Sequence, residues 1–221
     1  MGEMIELTAV DSHRLDAYQA TPQGKAKGGL VIIQEIFGLT DQMKRVADRY
    51  AQAGYLSIVP AMFDRIEHNI IIPYEEFMKG REIARNRLDA ENIMADVEAA
   101  RLAAGKAGNT AILGFCWGGS IAYLAAASLE FTAAISYYGG DVPNYVERMK
   151  PRIPVIYHFG ERDDHIPLDA VDKVKKANPD NPLYIYQGAD HGFCCDDRGS
   201  YDADAAALSE DRSLAFLTTH L

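Results

Sequence analysis

Short apolar runs alternating with stretches of helical spacing constrain this chain more than any other feature. Gly29 to Gln34, Tyr55 to Val59, Ala111 to Phe115, Thr132 to Tyr138, Val155 to Phe159 and Leu183 to Tyr186 are of strand length, and Gly29 to Gln34 has the continuous apolar character of a strand covered on both faces. Between them the period changes. Thr40 or Asp41 caps a helix running to about Ala53, with Met43, Val46, Ala47 and Tyr50 at helical spacing and Gly54 as its stop. Tyr74 to Ala104 reads as helix broken near Arg87 to Asp89. Ser120 to Ala127, Leu168 to Ala177 and Ala203 to Leu217 read as further helices, the last directing Ala207, Leu208, Leu214 and Leu217 at the core. Such alternation predicts βαβ units: an α/β fold with a mostly parallel sheet and helices on both faces. Glu3 to Ala9 and His13 to Ala20, around Asp11-Ser12, add an N-terminal antiparallel hairpin. Ala61 to Pro73 lacks a period and is expected to form a lid or pocket wall.

With 221 residues, 48% of them hydrophobic, and no Pro/Gly-rich or single-charge tract of linker length, the chain is expected to be a single domain over residues 1–221. The net charge of -10 lacks the basic footprint that nucleic acids and anionic membranes require. No basic segment followed by an apolar one opens the chain, and no apolar run is long enough to span a bilayer, so the expected location is cytoplasmic. Three cysteines, two adjacent at Cys194 and Cys195, cannot form an ordinary disulfide framework. Adjacent cysteines also cannot readily share one ion, so no metal is expected.

Gly114-Phe115-Cys116-Trp117-Gly118-Gly119 lies where an apolar strand ends and a small-residue helix begins. A sharp strand-to-helix turn pushes its central side chain out of the sheet, and flanking glycines admit the tight backbone; this is the nucleophile elbow with cysteine in the serine position. The helix N-terminus favours the thiolate, the attacking species. In a mostly parallel sheet the ligand site lies beyond the carboxyl ends of the strands. Four groups of chemical side chains follow strands here: Glu35, Cys116, the pair Asp163 and Asp164, and His191. The backbone N–H groups of Trp117, after the nucleophile, and Ile36, after the first buried strand, are the expected oxyanion hole.

Five blocks carry a resemblance: Gln34-Glu35-Ile36-Phe37-Gly38, Gly114 to Gly119, Tyr137-Tyr138-Gly139, Gly160-Glu161-Arg162-Asp163-Asp164-His165-Ile166-Pro167 and Ala189-Asp190-His191-Gly192-Phe193. In order and spacing they resemble the dienelactone hydrolase family (carboxymethylenebutenolidases) of the α/β-hydrolases. The chain order of nucleophile, acid and histidine is the α/β-hydrolase order. The resemblance implies an α/β-hydrolase fold and a cofactor-free hydrolase that opens an ester or lactone through a thioester at Cys116. In it His191 handles the proton and activates water, and Asp163 orients the imidazole; Asp163 is preferred over Asp164 by its spacing to Pro167. Glu35 would accept the thiol proton when substrate binds.

The family holds its substrate carboxylate with arginines, one of them four residues after the histidine, where this chain has Cys195. The other lies in the lid region, where Lys79, Arg81, Arg85 and Arg87 are available and Arg81 is the choice. Phe37 and Tyr138 are expected to line the substrate site. The implied partner is a small-molecule ester or lactone, with the chain as a monomer or small homo-oligomer. A broader carboxylesterase or thioesterase on the same machinery is the first alternative; a non-catalytic binding protein on the same fold is the second.

Overall fold

The computed structural model describes residues 2–221, and their contacts fall into two compact units, one reaching Ala111 and including Leu221, the other Ile112–His220. In the first, strands β1 (Glu3–Thr8), β2 (Arg14–Ala20), β3 (Gly28–Ile33) and β4 (Tyr55–Pro60) stand in the order β1-β2-β4-β3. β1 and β2 form the expected antiparallel hairpin, from Glu3 opposite Gln19 to Thr8 opposite Arg14. β2 runs antiparallel to β4, and β3 parallel to it. All six residues of β3 are buried, in keeping with its unbroken apolar sequence.

Helix α1 (Asp41–Gln52) begins at Thr40, whose hydroxyl accepts the Met43 N–H at 3.3 Å, and buries Met43, Val46, Ala47 and Tyr50. Gly54 follows its end at φ 106°, a conformation other residues resist. The region read as one broken helix is a 3₁₀ turn at Tyr74–Glu76, helix α2 (Phe77–Glu82), a π-helical segment at Ile83–Arg87 and, after extended Leu88, helix α3 (Ala90–Ala104). Asp89 caps α3 by accepting the Asn92 N–H at 2.8 Å. Gly29 of β3 lies so close to the Ala104 carbonyl that a Cβ would collide with it, which brings α3 tight against the strand.

α3 also buries an acid. Asp96 is 1% exposed and accepts a bidentate pair from Arg65, Nε and Nη2 each at 2.7 Å, while Nη1 reaches Asp11 at 2.7 Å. Burial raises the Asp96 carboxyl above its ordinary value against the opposing pull of Arg65. Removing the cation would strand a buried charge, so Arg65→Met is expected to cost about 3–5 kcal/mol in urea unfolding. Adding Asp96→Leu should restore most of it. A single variant within about 1 kcal/mol of wild type, on the same scale, would refute this role.

In the second unit β5 (Thr110–Phe115, begun in the first), β6 (Ala133–Tyr137), β7 (Val155–Gly160) and β8 (Leu183–Tyr186) follow in sequence order. β6, β7 and β8 pair in parallel. Helices α4 (Trp117–Ser128), α6 (Leu168–Ala177) and α7 (Ala203–His220) fall where their spacing predicts; the short α5 (Val142–Tyr145) carries too few residues to announce itself. The face assigned to α7 needs correction. Of the expected core residues Leu217 is buried, Leu214 half-buried, and Ala207 and Leu208 exposed. The buried face is Ala205, Ser209, Ser213 and Leu217, because the serines satisfy their hydroxyls internally, Ser213 with Tyr137 and His158 and Ser209 with the Ala206 carbonyl. A stripe chosen by hydrophobicity alone passes over them.

Candidate active site

The strand-to-helix turn between β5 and α4 is built as its glycines require. A Cβ on Gly114 would collide with the Gly118 carbonyl, and one on Gly119 would lie 2.5 Å from the Tyr137 carbonyl. Between them Cys116 sits at φ 55°, ψ -117°, a conformation costing a non-glycine residue roughly 1–3 kcal/mol. The turn is held from several sides. The Cys116 N–H donates to the Tyr137 carbonyl at 3.0 Å, the Ser136 hydroxyl to the Gly119 carbonyl at 2.9 Å, and the Asp141 N–H to the Ser120 hydroxyl at 3.0 Å. Cys116 is half-buried, as is Trp117, the first residue of α4.

Asp163 and His191 follow β7 and β8 and converge on this turn. His191 Nε2 lies 3.1 Å from Cys116 Sγ, and its Nδ1 lies 2.7 Å from Asp163 Oδ2. The other Asp163 oxygen accepts the His165 N–H at 2.9 Å and the Ile166 N–H at 3.2 Å, so the carboxylate's rotation is set by the backbone. Asp163 is buried, whereas Asp164 is exposed; the acid chosen by spacing to Pro167 is the one brought to the imidazole. Asp190 accepts the His191 N–H at 2.6 Å, and Gly192 follows at φ 78°. The Tyr138 ring, buried and at φ 35°, stands edge-on to the His191 ring at 5.0 Å. Burial disfavours the imidazolium, yet the charge of Cys116 and the hydrogen bond to Asp163 outweigh it and raise His191 to about 10.

His165, to which the sequence attached no role, presents its ring edge-on to His191 at 5.1 Å. Nothing in the Gly160 to Pro167 block distinguishes it from any exposed loop histidine. Cys195, at the position of the family arginine, is buried, its N–H bonded to the Gly192 carbonyl at 2.9 Å. Cys194 lies 3.5 Å from the Ser209 hydroxyl.

The first unit carries the remaining expected residues. Glu35 is buried just beyond β3, beside Gln34, whose amide donates to the Glu35 carbonyl and accepts the Met62 N–H. Ile36 is half-buried, and its carbonyl sits where a Cβ on Gly80 of α2 would collide. Phe37 is buried against Tyr74 with ring centroids 4.6 Å apart, and the Ile72 N–H donates to its carbonyl at 3.0 Å. Arg81 is exposed, as are Lys79, Arg85 and Arg87, so exposure does not single it out. A cavity of about 350 Å³ lies elsewhere in this unit, lined by Asp16, Gln34, Thr40, Phe63, Asp64 and Ile70 among others. Beside it Asp16, Asp64 and His68 bring donor atoms within 4.8 Å of one another. Asp64 already accepts the N–H groups of Asp16 and Asn69, each at 2.9 Å, which makes the cluster a clasp on the 64–69 loop. No helix among the described residues is long and apolar enough to cross a membrane.

The model of the family described as "Dienelactone hydrolase family" matches residues 15–221. A Synechocystis relative, provisionally named carboxymethylenebutenolidase, is 33% identical over 199 residues, covering 80% of each chain. The carboxymethylenebutenolidase of Pseudomonas putida is 29% identical over 227 residues, covering 97% of this chain and 95% of its own. The crystal structure of a Klebsiella pneumoniae protein provisionally named a dienelactone hydrolase superposes with a TM-score of 0.81 at 27% identity, covering 97% of this chain and 98% of that one. A family match over nearly the whole chain, together with the shared architecture, makes it a member of the dienelactone hydrolase family of α/β-hydrolases, and thus a hydrolase of ester or lactone bonds in small molecules.

Proposed function

We propose that this hydrolase works through a covalent thioester at Cys116. The observation that carries the reading is the hydrogen-bonded line Cys116 Sγ, His191 Nε2, His191 Nδ1, Asp163 Oδ2, at 3.1 and 2.7 Å. The hydrogen bond to Asp163 and the neighbouring charge hold a proton on His191 despite its burial. The sulfur attacks the acyl carbon, and the C=O electron pair moves onto oxygen. As the tetrahedral intermediate collapses, His191 donates its proton to the departing alkoxide, leaving an acyl thioester. Neutral His191 then takes a proton from water, hydroxide adds to the thioester, and the sulfur leaves and recovers the proton through His191. Asp163 keeps Nε2 directed at the sulfur and supports the transient positive charge.

The Trp117 N–H, at the head of α4, is the oxyanion donor this reading assigns in the second unit. The family resemblance adds the Ile36 N–H as its companion, Glu35 as a proton acceptor that keeps the resting thiol quiet, and Arg81 and Phe37, with Tyr138, as substrate-binding groups. The substrate class in this reading is a lactone or ester of the dienelactone type.

Rapid quenching of the enzyme during turnover of a slowly hydrolysed lactone is the test. Mass spectrometry should find the Cys116 peptide heavier by the mass of the opened acyl group, and the adduct should vanish as product appears. An adduct on another residue, or none under burst kinetics, would rule the thioester out. Comparing rates on carboxylate-bearing lactones and simple acyl esters separates the dienelactone reading from the broader esterase.

A further inference from the structure

A second histidine lies under the candidate site and takes no part in the steps above. His158, on β7, is fully buried, with both ring nitrogens engaged: Nδ1 2.7 Å from the Tyr186 hydroxyl and Nε2 3.1 Å from the Ser213 hydroxyl. The Ser213 hydroxyl continues to that of Tyr137 at 2.7 Å, and the Tyr137 ring returns to stack on His158 with centroids 4.4 Å apart. Three strands and α7 meet in this loop of contacts.

The Arg212 guanidinium lies over the Tyr184 and Tyr186 rings, its carbon 3.9 and 5.3 Å from their centroids. The His158 imidazole links the Tyr186 hydroxyl on one side to the Ser213 hydroxyl, and through it Tyr137, on the other. The ring is neutral, pushed down to about 3 by burial and, secondarily, by the Arg212 charge.

What the chain holds is the end of β6. Tyr137 pairs with His158 across the strands, and its carbonyl accepts the Cys116 N–H at 3.0 Å. The next residue, Tyr138, donates its N–H to the His158 carbonyl at 2.7 Å, adopts φ 35° and faces the His191 ring. One histidine thus braces, through side chain and backbone, both the residue that anchors the Cys116 amide and the residue that walls His191.

We propose that His158 is a positioning residue for the reaction, the centre of a buried hydrogen-bond chain from Tyr186 to Tyr137 that sets where Cys116 and His191 stand relative to each other. The proposal rests on the thioester reading and deepens it. If correct, deleting a link relaxes the 3.1 Å sulfur–imidazole contact rather than substrate binding.

Ser213→Ala and Tyr137→Phe each remove one hydroxyl, and His158→Phe removes both ring bonds. For each variant that folds, kcat should fall by about tenfold with KM within twofold, and alkylation of Cys116 by iodoacetamide should slow in parallel. Because the hydroxyls act in one chain, the Ser213→Ala/Tyr137→Phe double variant should lose no more than the worse single variant. Unchanged kcat in Ser213→Ala and Tyr137→Phe, a loss confined to KM, or multiplicative losses in the double variant would overturn the proposal. Its failure is distinguishable from failure of the thioester reading, which would appear as turnover surviving Cys116→Ala.

Discussion

Cys116→Ala is expected to lower kcat by at least about 10⁴-fold, because it removes the atom that forms the acyl intermediate while leaving binding and oxyanion donors in place. Stability should barely move. Alanine keeps the Cβ and hence the positive-φ strain of the turn, and the Cys116 N–H to Tyr137 bond is backbone. A melting temperature within about 4 °C of wild type would show that the fold survives. The same variant makes an electrostatic prediction. The Cys116 charge is a leading cause of the raised His191 value, so an NMR titration of the His191 ring in Cys116→Ala should find it well below about 10. Turnover close to wild type would refute the assignment of the nucleophile.

Asp163→Asn should lower kcat by about 10³–10⁴-fold for a different reason. The amide oxygen can still accept the His165 and Ile166 N–H groups, so the loop should keep its shape. Its NH₂ then faces His191 Nδ1 and donates to it, forcing the proton onto Nε2, where it points at the sulfur and cannot accept the thiol's own. Asp163→Asn should therefore alkylate slowly at neutral pH, whereas Asp164→Asn, at an exposed position, should behave like wild type. Equal losses at the two positions would mean that the loop's charge, and not one aligned carboxylate, is what matters.

Much of this was legible in the amino-acid order because it is local. The cap at Thr40 or Asp41, the stop at Gly54, the break near Arg87 to Asp89 and the glycines around Cys116 each follow from contacts within a few residues. The choice of Asp163 over Asp164 rests on the resemblance, in which the acid lies at this spacing before its proline. Sequence and structure differ where burial and polarity part company. The inner face of α7 carries Ser209, whose hydroxyl is satisfied by the Ala206 carbonyl of its own helix, and Ser213, whose partners Tyr137 and His158 come from distant strands. His158 carries no local signal inside an apolar strand, since its two partners lie 28 and 55 residues further on.

By itself, then, the sequence determined the alternation of strands and helices, the sharp turn presenting Cys116, and the family to which these motifs point. Tertiary structure alone decided which groups meet: a sulfur and an imidazole 75 residues apart, a carboxylate 28 residues from that imidazole, and a buried histidine braced beneath them. The physical reason is range. Caps, breaks and periodicity are governed by neighbours along the backbone, whereas a hydrogen bond of about 3 Å between distant residues exists only once parallel strands have been brought into register.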